Sequence, residues 1–192
     1  MTPKQISEAV SAIFDCVHGY RTYMHRYPEL SFQEHNTMLF VSETLSKLGI
    51  RHDKGVGKTG VVAYIEAANS TRWIGLRSDL DALPIQEENE VEYKSLVPGV
   101  MHACGHDGHM AMLLGAAKYL ASERNFKGTV LFIFQPAEEN EGGGRIMIEE
   151  GVLERHPVDA IFALHNWPAL SPGQLGFRTG PMMSAYDVFE IE

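Results

Sequence analysis

Along the first part of the chain, Ile6, Val10, Ile13, Phe14, Val17, Tyr20 and Met24 recur at three- and four-residue steps. That spacing predicts one amphipathic helix, opened by Thr2 with Pro3 in its first turn and closed before Pro28. A second helix is expected from Ser31, with Glu34 completing a capping box, an apolar stripe of Met38, Val41, Leu45 and Leu48, and Gly49 just past its end. Both helices are expected to cover a sheet. From residue 73 onward the pattern changes to short, nearly continuous apolar runs at 73–76, 129–134 and 158–164. Runs of that length read as strands buried on both faces of a mostly parallel sheet. Helical stretches separate them, the first with Met110, Leu113, Leu114, Ala117 and Leu120 on one face, the second at 145–150 and closed by Gly151. Alternating strands and helices imply βαβ units, hence an α/β fold with a mostly parallel sheet flanked by helices.

Each strand opens into a polar cluster. The first leads to Arg77, Ser78, Asp79, Leu80 and Asp81, the second to Gln135, Pro136, Ala137, Glu138 and Glu139, and the third to His165, Asn166, Trp167 and Pro168. Ligand sites in open α/β sheets lie beyond the carboxyl ends of the strands, so these clusters are expected to converge. The loop at 101–109 belongs with them, because it gathers His102, Cys104, His106, Asp107 and His109 just before a helix that Asp107 is expected to cap.

Composition narrows the setting. The 192 residues, 44% hydrophobic and 21% charged, suit a single globular domain. A net charge of −9 argues against nucleic-acid and anionic-membrane partners. Two cysteines, Cys16 and Cys104, are too few for a disulfide framework. With no apolar run near the ~18–20 residues of a membrane span, a cytoplasmic location is expected. The stretch Gly57-Lys58-Thr59 ends like a phosphate loop, but His52 stands where that motif needs glycine, and a strand-like run at 61–65 follows where it needs a helix. A glycine-rich turn is the better reading.

Thiolate, imidazole and carboxylate in one place are the donors of a borderline-soft divalent metal. Cys104 and His106 are candidate ligands, and His165 joins them as a third. Glu138 and Glu139, expected to point in different directions, suit a division of labour in which one holds metal and the other moves a proton. Asp79 and Asp81 are expected to orient the imidazoles. His102 and His109 are read as supporting or surface groups, and His18, His25, His35, His52 and His156 carry no supporting context. A competing scheme makes Cys104 a nucleophile with His106 or His102 as base. It leaves the acids and His165 without a role.

Four of these stretches, 79–84, 104–107, 135–139 and 164–168, together resemble the successive motifs of the hippurate hydrolase and N-acyl-amino-acid amidohydrolase branch of the dimetal aminoacylase and carboxypeptidase family. Residues 25–32 resemble its N-terminal signature. The resemblance implies a catalytic domain of the dimetal aminopeptidase type that cleaves N-acyl amino acids. It implies Cys104, His106, Glu139 and His165 as ligands of one or two zinc, manganese, cobalt or nickel ions, and Glu138 as general base and acid. More distant relatives have His-x-Asp where Asp79-Leu80-Asp81 stands, so Asp79 is not expected to bind metal.

Members of that branch are about twice as long, with a lid domain inserted and one further histidine ligand beyond it. The expected division is therefore residues 1–180 as the N-terminal part of the catalytic domain and 181–192 as the start of a connection into the lid. An incomplete site follows from that reading, as does the alternative of a non-catalytic metal-binding or regulatory module. A homo-oligomer is compatible with the longer form.

Overall fold

The structure is a computed structural model that describes residues 2–140 and 142–183. The alternating stretch expected as a strand near the C-terminus, and most of the expected connection at 181–192, lie outside the described residues. Helix α1 (Pro3–Arg26) starts as its sequence implies: Thr2 Oγ1 accepts the backbone N–H of Gln5, and the Gln5 side chain returns the bond. Helix α2 (His35–Lys47) is followed by Gly49 in the left-handed region, φ 67°.

The expected Ser31–Glu34 capping box does not form. Glu34 makes no side-chain cap bond, and Ser31 Oγ donates instead to Asp81 Oδ2 at 2.7 Å. Glu29 takes over the cap. Its carboxylate accepts the N–H groups of Asn36 (3.1 Å) and Thr37 (2.8 Å), and the side chains of both residues as well. A negative charge there meets the positive end of the helix dipole.

Strands β1 (Arg51–Val56), β2 (Gly60–Glu66), β3 (Ala68–Asp79), β4 (Lys127–Gln135) and β5 (Ala160–Ala163) form one sheet in the order β1-β2-β4-β3-β5. The sheet is mixed. β3 runs parallel to both β4 and β5, while β2 runs antiparallel to β1 and β4. The antiparallel half arises at the glycine-rich turn, where Gly57 and Lys58 take φ of 61° and 80° and reverse the chain without a crossover helix. The parallel half arises from crossovers: α3 (His106–Glu123) joins β3 to β4, and α4 (Gly143–Glu149) with the short α5 (Val152–Arg155) joins β4 to β5.

Strand alternation sorts the apolar residues onto two faces. Val61, Ala63, Ile65, Phe132 and Phe134 meet Val41, Leu45, Met110, Leu114 and Ala117 from α2 and α3. Val62, Leu131 and Ile133 meet Met147 and Val152 on the other side. Helix α1 lies over α3 rather than on the strands, so of the first two helices only α2 covers the sheet directly. β5 departs from the expected burial on both faces, since all four of its residues are exposed at the sheet edge. No helix among the described residues is long and apolar enough to cross a membrane.

The Glu29 cap is testable. Replacing Glu29 by alanine should lower unfolding stability by about 1–2 kcal/mol, measured by urea denaturation, because two α2 amides lose their acceptor.

Candidate metal centre

The three parallel strands end side by side. Asp79 closes β3 opposite Gln135, the last residue of β4, and Ala163 of β5 lies level with Arg77. Arg77 bridges two of these ends, donating to Asp79 Oδ2 at 2.8 Å and to Gln135 Oε1 at 2.8 and 3.0 Å. From there the chain reaches the His-rich loop and turns into α3 at Gly105, which takes φ 90° and lies against Asn166. A β-carbon at Gly105 would overlap the Asn166 side chain. That turn sets His106 at the first position of α3, fully buried.

The His106 ring is held by its Nδ1, which donates to the Asp81 carbonyl oxygen at 2.7 Å. Nε2 is then the nitrogen whose lone pair a cation would take once its proton is lost. This buried nitrogen has no hydrogen-bond partner, and it faces Glu139 at 3.6 Å, Asp79 at 3.7 Å and Glu138 at 3.9 Å. Adjacent glutamates expected to diverge therefore converge on one imidazole, because residues 138–140 form a turn rather than extended chain. One cation bonded at about 2.0–2.2 Å to nitrogen and oxygen donors sets them about 3–3.5 Å apart, close to the observed spacing.

The remaining predicted donors, Cys104 and His165, lie close to each other. Cys104 Sγ approaches His165 Nε2 at 3.5 Å, and His165 Nδ1 donates to the Asn166 carbonyl at 2.7 Å, the same tautomer as in His106. Ligand atoms of Cys104, His106 and His165 fall within 4.8 Å of one another, as do those of His106, Glu138 and Glu139, with His106 common to both groups. The shared imidazole joins the two groups into one cluster of donors. Cys104 is half-buried and His165 exposed, so this flank is the open wall of the site.

Asp79 and Asp81 are nearly fully buried and already engaged. Asp79 accepts from His109 Nδ1 at 2.7 Å and from Arg77, and Asp81 Oδ2 accepts from Ser31 and from the Glu139 amide at 3.0 Å. Burial raises the pKa of both carboxyls, but these bonds outweigh it and hold them below the usual carboxylate range. His109 is buried rather than at the surface, fixed between Asp79 and Asn166, whose backbone N–H donates to His109 Nε2 at 3.2 Å.

Residues 75–192 match the family described as Peptidase family M20/M25/M40. The chain belongs to this peptidase family. Among its relatives, the N-acyl-L-amino acid amidohydrolase of Geobacillus stearothermophilus is 45% identical over all of this chain and 52% of its own length. The hippurate hydrolase of Campylobacter jejuni is 46% identical, covering 90% of this chain and 45% of the relative. A crystal structure of a dinuclear metal-binding M20 peptidase from Bacillus subtilis superposes with a TM-score of 0.84 at 44% identity, over 89% of this chain and 48% of that one. The chain thus spans about half the length of the relatives it matches.

In this M20/M25/M40 chain the site rests on groups that its sequence pattern did not single out. Asp107 is not a side-chain cap. It points inward from the first turn of α3 and accepts from Arg21 Nε at 2.9 Å and His25 Nδ1 at 2.8 Å, while His25 Nε2 reaches Glu87 Oε1 at 3.2 Å. The i, i+4 spacing of Arg21 and His25 on α1 was the available signal. His25, without context in the sequence, is buried and ties α1 to the start of α3.

His102 is also buried, with no hydrogen-bond partner on either ring nitrogen, and burial pushes its pKa down to about 4. The folded state therefore keeps this ring neutral after the unfolded chain has taken up a proton. Stability from His102 is present above its ordinary value of 6.5 and is lost as pH falls through about 4. Between those limits wild type should lose about 3 kcal/mol more than a His102→Phe variant, measured by urea unfolding at a series of pH values.

Proposed function

We propose that this chain carries the metal-holding part of an amidohydrolase that cleaves N-acyl amino acids, with hippurate and N-acetyl conjugates as the substrate class. The observation that carries the reading is His106 Nε2: buried, without a hydrogen-bond partner, and ringed by carboxylates at 3.6–3.9 Å. A buried imidazole in that setting is a cation site. The names of the similar amidohydrolase and hippurate hydrolase support the substrate class.

Cys104, His106, Glu139 and His165 would hold one or two divalent ions, zinc, manganese, cobalt or nickel, and Asp79 and Asp81 would fix the groups around them. The bound ions supply Lewis acidity, lowering the pKa of water and offsetting negative charge as the amide is attacked. Glu138 serves as general base and then general acid. Burial first, then the charge of Glu139, raises its carboxyl above the ordinary value, toward the range where a proton is taken and returned near neutral pH. Its side chain is 40% exposed, the most open of the four carboxylates, so water and substrate can reach it.

Relative length and composition support the remainder of the reading. Residues 1–180 are the N-terminal part of the catalytic domain and 181–192 lead toward a lid, in line with relatives of about twice the length. A cytoplasmic setting suits two free thiols, and the charge of −9 argues against nucleic-acid and anionic-membrane partners. A homo-oligomer belongs to the longer form.

One contact favours a second reading, a cysteine-dependent amidase: Cys104 Sγ lies 3.5 Å from His165 Nε2. Chelation separates the two, because activity that survives chelator but not Cys104→Ser belongs to the cysteine.

Metal binding gives the direct test. Without metal, burial lowers the His106 pKa, but Asp81, Cys104 and Asp79 outweigh it and push it up to about 11. Zinc or manganese must therefore displace a proton, and calorimetry should show apparent affinity rising up to about tenfold per pH unit for each proton released. Glu138→Gln should bind metal as wild type does while lowering amide hydrolysis by about 10²–10⁴-fold. Failure to bind metal, or hydrolysis indifferent to Glu138, would overturn the reading.

A further inference from the structure

Glu34 is fully buried, far from solvent and outside the candidate ligand set. Isolated burial of a carboxylate costs several kcal/mol unless its oxygens are satisfied, so its bonding partners indicate why it is there. Oε2 accepts from the Thr59 hydroxyl at 2.6 Å, in the turn between β1 and β2. Oε1 accepts from the backbone N–H of Ala137 at 2.8 Å, across 103 residues of sequence.

Ala137 is itself unusual. It takes φ 48°, in the left-handed region that disfavours a residue with a β-carbon by about 1–2 kcal/mol. It is fully buried and immediately precedes Glu138 and Glu139. Its carbonyl is also tied, accepting from the Gly143 N–H at 3.1 Å. One residue beyond Glu138, the Glu139 amide donates to Asp81, which is held by Ser31. Ser31 and Glu34, spaced as a capping box, have both turned away from α2, Ser31 to Asp81 and Glu34 to Thr59 and Ala137.

From this geometry we infer that Glu34 is a positioning residue: its carboxylate holds Ala137 in the left-handed conformation that aims Glu138 and Glu139 at His106. The inference rests on the metal site proposed above. Without the Glu34 acceptor, the Ala137 amide would be buried and unpaired, and the turn at 138–140 would relax. Cys104 and His165 are placed by their contact with each other and by the Asn166 carbonyl rather than by Ala137, and would keep their places. Glu34 thus acts on the carboxylate side of the site alone.

Cobalt(II) titration of the purified chain tests this, because cobalt reports thiolate ligation by a near-ultraviolet charge-transfer band and its coordination number and geometry by visible ligand-field bands. Glu34→Leu fills the same space without an acceptor. It should retain the near-ultraviolet thiolate-to-cobalt band while its visible ligand-field bands change and cobalt affinity falls about 10–100-fold. Glu34→Gln, whose amide oxygen can still accept from Ala137 and whose NH₂ can donate to Thr59, should stay within about threefold of wild type. Glu34→Leu binding cobalt with wild-type affinity and spectrum would overturn the inference while leaving the metal site standing. Wild-type protein that binds no cobalt would remove both. If Glu34→Leu does not fold, hydrogen exchange on the wild type decides: strong protection of the Ala137 amide supports the clamp, and exchange at the rate of an exposed amide overturns it.

Discussion

Electrostatic crowding at one end of the sheet is the constraint that the rest of the structure answers. Asp79, Asp81, Glu138 and Glu139 are brought around His106, three of them within 4 Å of its Nε2 and Asp81 Oδ1 at 3.4 Å from its Nδ1. Like charges at such distances repel strongly where water is scarce. The chain offsets part of this with Arg77, with His109, and with the Glu139 amide on Asp81. Those bonds occupy the two aspartates and leave the two glutamates turned toward the unpartnered side of the imidazole. A cation there converts mutual repulsion into shared attraction, which explains why so expensive a cluster is built at the strand ends.

The sheet makes the cluster geometrically possible. Parallel pairing of β3 with β4 and β5 brings three carboxyl ends to one edge, although these strands lie up to about ninety residues apart in sequence. This convergence was legible in the sequence, since each apolar run opens into acid or imidazole and the runs alternate with helical stretches. The antiparallel half was half-visible. Its turn was recognised from glycine at 55–60, but apolar content alone does not distinguish the direction in which β2 pairs. The exposure of β5 was not legible either, because an apolar run carries no information about whether anything covers it.

The less visible residues share a physical reason. Ser31 and Glu34 fit a local capping pattern, yet each forms its strongest bonds across the fold, to Asp81 and to Ala137. His25 looked isolated because its partners, Asp107 and Glu87, lie 82 and 62 residues away. Asp107 was read as a cap from its place before a helix, whereas Gly105 in the left-handed region opens α3 and frees that carboxylate to point inward. Local patterns identify which residues can cap or ligate. Long-range bonds decide which of those options is used.

These bonds also divide the site into two mechanically different parts. The floor, with Asp79, Asp81, His106 and His109, is nearly fully buried and is tied to α1 through the His25–Asp107 bond and to the segment between α1 and α2 through the Ser31–Asp81 bond. Of the wall, His165 follows the exposed strand β5 and is joined to the floor through Asn166, whereas Cys104 sits in the loop just before α3. Preorganisation, which lowers the cost of gathering ligands, is therefore concentrated in the floor. The floor holds the groups around His106 in place, whereas Cys104 and His165 stand on the more accessible side. The cluster thus combines a rigid, buried set of imidazoles and aspartates with more accessible groups, Cys104, Glu138 and His165.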